Sequence, residues 1–255
     1  MARPFVLLQL SDHHVGATWG GGDPLGRLRE AVAAVRELPD PPDAVLISGD
    51  LTDNAEPAEY EAVREELAPL RAPLLPLPGN HDARAPLREA FELAGEGEER
   101  VDYAAELGPL RLIVLDSTVP GKVEGRLDAA ALAWLEAELA AAPQLPTLLA
   151  MHHPPLATGI PAWDGINLTA AERAALGEVI ARHPQLLATV GGHLHSPAAA
   201  TLGGRPVLAA PSTYLPTAPR FGVDEVPTFG PGPGGYVLHV LRDGELASHL
   251  RWVGA

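Results

Sequence analysis

The sequence predicts an α/β fold, and three observations carry that prediction. Short apolar runs that end in Gly, Asp, Asn or His alternate with longer segments of helical period, which is the pattern of β-α-β units. The runs are almost continuously apolar, so each strand is expected to be largely buried. No internal repeat or linker-like shift in composition interrupts the pattern, and residues 1–255 are therefore expected to form one domain.

Taken in order, the first strand is expected at 5–10. A helix follows over 24–38, with Asp23 as its N-cap and Pro24 at its first position, where a missing N–H costs nothing. Strands at 44–48, 74–77, 110–115, 147–151 and 186–190 alternate with helices at 57–67, 85–91, 129–141 and 170–183. After Gly192 the character changes. Residues 205–210, 235–241 and 245–253 read as strands with no helix between them, and Asp243-Gly244 is a hairpin signal, so the chain becomes more antiparallel beyond about residue 200. Between them, residues 211–234 are rich in Pro and Gly and too long for an ordinary connection; such loops are usually functional. Its Tyr214, Phe221 and Phe229, with Trp163 in the turn after His152, are expected to wall a site at the strand ends.

Composition narrows the function. With 18 basic and 33 acidic residues the net charge is −15, which repels a polyphosphate backbone and excludes a nucleic-acid scaffold as partner. Apolar residues make up 46% and charged residues 20%, as in a soluble globule. The absence of cysteine removes disulfides, thiolate zinc sites and thiol nucleophiles. The first apolar run is too short for a signal peptide, and no stretch approaches the ~18 apolar residues of a membrane span. A cytoplasmic protein without membrane partners is expected.

The chemistry-bearing residues fall at strand ends. Asp12 and His14 follow the first strand, Asp50 and Asp53 the second, and Asn80, His81 and Asp82 the third; His152-His153 and His193/His195 close two later ones. In open α/β sheets ligands bind outside the carboxyl ends of the strands, so these residues would converge on one rim. Taken singly each has an ordinary explanation as a turn, a helix cap or a satisfied strand-end histidine. Together they form a set of carboxylate, imidazole and carboxamide donors without thiolate, which suits Mn, Fe or Zn ions.

Five blocks in order, D-x-H (Asp12, His14), GDLTD (residues 49–53), GNHD (79–82), HHPP (152–155) and GHLH (192–195), resemble the calcineurin-like metallophosphoesterases. PGNHDAR, LDSTVPG and the APST at 210–213 resemble its bacterial class III cyclic-nucleotide phosphodiesterases and related glycerophosphodiesterases. The resemblance implies a four-layer α-β-β-α sandwich of two mixed sheets flanked by helices, and two divalent or trivalent transition-metal ions. Asp12, His14, Asp50 and His195 would hold one ion, and Asp50, Asn80, His152 and His193 the other, with Asp50 bridging. A hydroxide between the ions would attack phosphorus. His81 would face the substrate and steady phosphoryl oxygens or protonate the leaving alkoxide, and Asp53 would orient it. The implied activity is hydrolysis of small phosphodiesters, cyclic nucleotides among them. A phosphomonoesterase built on the same centre and a non-catalytic interaction scaffold are the alternatives.

His14 rather than His13 fits the D-x-H spacing, the resemblance implies His152 rather than His153 because related H-x-P blocks place the ligand first, and Arg84 either shapes the site or pairs with an acid. No Arg-Gly follows Asp53, so the protein-phosphatase signature is missing; nor is there a tyrosine at Asp53, where purple acid phosphatases carry their coloured ligand. Homodimers are the commonest soluble assembly, and a homodimer is compatible with this chain.

Overall fold

The computed structural model describes residues 3–218, 220–222 and 226–253. Its elements run β1 (Phe5–Leu10), α1 (Pro24–Arg36), β2 (Ala44–Ser48), α2 (Pro57–Leu67), β3 (Leu74–Leu77), α3 (Arg84–Phe91), β4 (Tyr103–Leu107), β5 (Leu110–Val114), α4 (Ala129–Ala141) and β6 (Thr147–Ala150). They continue with α5 (Pro161–Asp164), α6 (Ala170–Arg182), β7 (Leu186–Gly191), β8 (Ala198–Leu202), β9 (Arg205–Ala209), β10 (Thr217–Ala218), β11 (Thr228–Phe229), β12 (Gly235–Arg242) and β13 (Glu245–Trp252).

Two mixed sheets, of order β13-β12-β1-β2-β3 and β4-β5-β6-β7-β9-β8, stack face to face. Successive side chains of a strand point to opposite faces, and here both faces are covered. Leu7 and Leu46 of the first sheet meet Leu112, Val114 and Leu148 of the second. Their neighbours Leu8, Val45 and Ile47 point outward under α1 and α2, against Leu28, Val35, Val63 and Leu67. On the far side Ile113 and Leu149 lie under α4 and α6, against Leu135, Leu139, Leu176 and Ile180. The result is the four-layer α-β-β-α sandwich.

Helix ends follow their caps. Asp23 accepts from the Gly26 N–H (3.0 Å), and Thr169 and Glu172 form a reciprocal capping box at α6. Three helices differ from the expected bounds: α1 ends at Arg36 rather than 38, α6 ends at Arg182 rather than 183, and α3 starts at Arg84 rather than 85. The edge strands β4 and β8, the one-turn α5 and the β10–β11 hairpin inside 211–234 are additional. Antiparallel pairs join β12 to β1, β13 to β12 and β8 to β9, while β9 itself runs parallel to β7.

A candidate dinuclear metal centre

Beyond the ends of β1 and β2 the backbone ladder continues. The N–H groups of Asp12, His14 and Val15 donate to the carbonyls of Gly49, Asp50 and Leu51 (3.0, 3.0 and 3.1 Å), which holds the two loops side by side. Asp82 stitches the third loop to them by accepting from the N–H groups of Gly79, Leu51 and Thr52, so its role is structural. Glycine precedes the ligand in three blocks, and at each a side chain would collide with the neighbouring loop. A Cβ at Gly79 would lie 2.2 Å from the Asp50 nitrogen, and one at Gly192 would lie 2.0 Å from Ser11 Oγ.

The six candidate ligands Asp12, His14, Asp50, His152, His193 and His195 are all buried, and Asn80 is half-buried. Asp12, His14, Asp50 and His195 present ligand atoms within 4.8 Å of one another. Asp50 Oδ2 lies 3.4 Å from His14 Nε2 and 3.5 Å from His152 Nε2, between the two donor sets. Asn80 Oδ1 lies 3.1 Å from His152 Nε2 and 3.0 Å from His193 Nδ1.

The far nitrogen of each imidazole fixes its tautomer. His14 Nδ1 donates to Asp53 Oδ1 (3.0 Å), His152 Nδ1 to the Ser48 carbonyl (2.9 Å), His193 Nε2 to the Ile166 carbonyl (2.9 Å) and His195 Nδ1 to the Leu215 carbonyl (2.8 Å). Each remaining nitrogen then turns a lone pair inward. His14 Nε2 and His195 Nε2 face each other at 3.0 Å, and two more lone pairs face the Asn80 oxygen. Asp12 Oδ2 is buried with no hydrogen-bond partner. Only positive charge among these atoms relieves the repulsion, and outward-pinned imidazoles of this kind are how proteins prepare ligands for a metal. The donor set fits the two ions.

The electrostatics agree. Burial raises Asp12 above the ordinary carboxylate range. Burial also pushes on Asp50, yet His152 and His14 beside it hold it well below that range. Against its own burial, the Asp50 charge pushes His152 up to about 9, a proton standing where a cation would serve. Burial pulls His195 down to about 4, and burial with His153 and His152 nearby pulls His193 well down, leaving both neutral near pH 7.

The backbone is strained at the same place. Five of the nine non-glycine residues with positive φ among those described are candidate ligands: Asp12, His14, Asp50, His193 and His195. Left-handed non-glycine residues cost about 1–3 kcal/mol each and cluster at functional sites.

His81 sits at the rim, its side chain 35% exposed, with Nδ1 3.2 Å from Asp53 Oδ1 and its backbone N–H on Asp50 Oδ1 (2.9 Å). The cleft above the ligands is ≈ 280 Å³ and is walled by Trp19, Val123, Trp163, Ile166, Pro227 and Phe229. Of the expected aromatic walls, Trp163 and Phe229 line it. Phe221 instead lines a neighbouring cavity beyond Trp163. Tyr214 is fully buried against Ala17 and Leu215 and is a packing residue, a correction to its expected place in the wall.

His13 is buried with Nδ1 2.7 Å from Thr213 Oγ1, and burial pulls it down to about 3. His153 stands beside His152 and His193, but Ser117 Oγ and the Val123 carbonyl take its two nitrogens (2.9 and 3.1 Å), tying down the loop that carries Val123. Arg84 pairs with buried Asp116 (2.7 Å) and donates to the Glu98 and Thr118 carbonyls, outside the cleft. Sequence reasoning missed Trp19, along with Val123, Ile166 and Pro227 of the wall; nothing marks Trp19 except a glycine-rich loop after His14.

A sandwich carrying such a centre is matched by the sequence pattern of the calcineurin-like phosphoesterases over residues 5–197, and the chain belongs to that family, whose members are hydrolytic phosphoesterases. It is 37% identical over 220 residues to a cAMP/cGMP dual specificity phosphodiesterase of Mycobacterium tuberculosis, covering 83% of this chain and 68% of that protein. It is 32% identical to the 3′,5′-cyclic adenosine monophosphate phosphodiesterase CpdA of Pseudomonas aeruginosa, over 96% of this chain and 89% of that one. The glycerophosphodiester phosphodiesterase GpdQ of Enterobacter lignolyticus is 37% identical over 66% of this chain and 61% of its own length. In fold the chain is similar to a dimetal phosphatase from Danio rerio, with a TM-score of 0.73 at 16% identity over 98% of this chain and 97% of that one. No helix among the described residues is long and apolar enough to cross a membrane.

Proposed function

We propose that this chain is a metal-dependent phosphodiesterase for small diesters, with cyclic nucleotides as the first candidate substrates. The observation that carries the reading is Asp50 Oδ2, poised between two donor sets at the floor of a cleft. Asp12, His14, Asp50 and His195 would hold one ion, and Asp50, Asn80, His152 and His193 the other; Mn, Fe and Zn all suit these donors. When bound, such a pair lowers the pKa of a water and offsets charge on phosphoryl oxygens.

The chain's own residues do the rest. A water oxygen bonds to phosphorus as the bond to the departing alcohol breaks; that alcohol's oxygen takes a proton from His81 Nε2, the water's proton goes to solvent, and solvent returns a proton to His81. Asp53 holds His81 through Nδ1 and so aims Nε2 outward. Trp163 and Phe229 exclude water and offer faces to an aryl group or base, while the ring of Trp19 closes the wall beside Asp53. A diester rather than a monoester is favoured because, among the described residues, no Lys or Arg lines the cleft to meet a second negative charge.

Turnover of bis(4-nitrophenyl) phosphate, 4-nitrophenyl phosphate, 3′,5′- and 2′,3′-cyclic nucleotides and glycerophosphodiesters, at defined metal content, tests this. The diesters are expected to be cleaved, the aryl diester faster than the aryl monoester. Monoester cleavage more than tenfold faster with every diester intact would replace this reading with a phosphatase. Failure of the replete protein to retain metal would replace it with a non-catalytic scaffold.

A further inference from the structure

Asp53 receives more than the two histidines. Its Oδ1 accepts from His14 Nδ1 (3.0 Å) and lies 3.2 Å from His81 Nδ1, so both imidazoles crowd one oxygen. The Cβ–Cγ torsion of an aspartate is soft, and a turn about it would carry Oδ1 away from one ring or the other. The indole N–H of Trp19 prevents this by straddling the pair, 3.1 Å from Oδ1 and 3.2 Å from Oδ2.

Trp19 is itself held on every side. The Tyr214 hydroxyl donates to its carbonyl (2.5 Å), and Tyr214 is fully buried. Its ring packs edge-on to Tyr214 at 5.3 Å and to His14 at 5.1 Å, and tilted against Phe229 at 4.9 Å. His81 has fewer contacts: its ring packs edge-on to His14 at 4.6 Å, and its Nδ1 meets Asp53 through the carboxylate (3.2 Å) and the Asp53 carbonyl (3.3 Å).

We infer that Trp19 is a positioning residue, whose N–H locks the Asp53 carboxylate in the one rotation that serves both His14 and His81 from a single oxygen. This rests on the phosphodiesterase reading for its kinetic consequence and on geometry alone for the contact. Trp19 touches no reacting atom; it acts through Asp53 on the aim of the proton donor.

Two measurements test it. In the first, Trp19→Phe keeps a ring and removes the N–H. With diphenyl phosphate, whose phenolate is a poor leaving group, kcat is expected to fall about tenfold, within the range of residues that orient site groups, at unchanged KM. With bis(4-nitrophenyl) phosphate it is expected to stay within threefold. Adding Trp19→Phe to Asp53→Ala is expected to cost nothing further, because the two act as a unit. Equal losses on both diesters, a change confined to KM, or additive losses in the double variant would overturn the inference.

The second measurement reads the contact without turnover. The four tryptophans of the zinc-loaded protein give four indole ¹⁵N–¹H signals. Trp19's, identified as the one that survives replacement of each other tryptophan in turn, is expected downfield and slow to exchange. In Asp53→Ala it is expected to move upfield and exchange rapidly while those of Trp134 and Trp252 stay put. An unmoved Trp19 signal overturns the inference even if Trp19→Phe does not fold. Should the wild type cleave neither diester, the phosphodiesterase reading fails, and the spectrum still decides the contact.

Discussion

In the proposed centre one half would be built from Asp12, His14, His195 and the shared Asp50; the other would add Asn80, His152 and His193 to that same carboxylate. The first therefore offers two negative charges and the second one, and a cation of higher charge is better matched by the first. The halves also differ in what stands behind them. His14 is backed by the side chain of Asp53 and His195 by a carbonyl, whereas His152 and His193 are both backed by carbonyls, those of Ser48 and Ile166. Side-chain support can be altered by a single substitution, and carbonyl support changes only with the path of the backbone.

The largest effect is expected where the halves meet. Asp50→Asn should release both ions and lose several kcal/mol of charge stabilisation, roughly 10³–10⁴-fold in turnover. Metal analysis alongside the rate checks this, and two ions retained with near-normal rate would remove Asp50 from the bridge. His81 lies outside both halves. His81→Ala should keep the metals and lose at least ~10² in rate with an alkoxide leaving group, less with nitrophenolate. Metal lost from that variant would move His81 among the ligands.

The asymmetry in support is sharpened by Asp53→Ala. Its expected cost is about 10–100-fold in affinity for one ion, the one His14 holds, with the other unchanged in a chelator titration. Equal weakening of both would erase the distinction drawn above.

The smallest effect on catalysis lies beneath both halves. His239 donates to Gln9 Oε1 (2.9 Å), and Gln9 in turn donates to Ser48 Oγ and to the Gly191 carbonyl, a polar strut across the two sheets. Burial pulls His239 down from 6.5 to about 4. The unfolded chain thus takes the proton first. Stability from this group is complete above pH 6.5 and is lost as pH falls towards 4, by up to about 3 kcal/mol. Urea midpoints at pH 7 and pH 4.5 should show a larger acid loss in the wild type than in His239→Gln, and equal losses would show that His239 carries none of the acid sensitivity.

The strands β1, β2 and β3 and the helices α2 and α4 have the bounds expected from sequence, because long apolar runs and caps leave little choice. The strand β4, Tyr103–Leu107, was invisible for the opposite reason: it is a half-exposed edge strand with a Glu among its five residues. The Ala-rich β8 is another such edge. At the site, ligand types were legible as letters at strand ends. The carbonyls of Ser48, Ile166 and Leu215 were not, since a backbone oxygen leaves no mark in a sequence. The long segment 211–234 carries aromatics, yet it also supplies the Leu215 carbonyl behind His195, and its Tyr214 packs inside.

The left-handed backbone at Asp12, His14, Asp50, His193 and His195 has a consequence for the history of such a chain. A lineage released from metal chemistry would gain stability by drifting to glycine at any of these positions, since glycine pays no steric cost there. Each such step would be a small reward for decay, open to every generation. Two aspartates and three histidines occupy those five strained seats in this chain, where glycine would carry less strain.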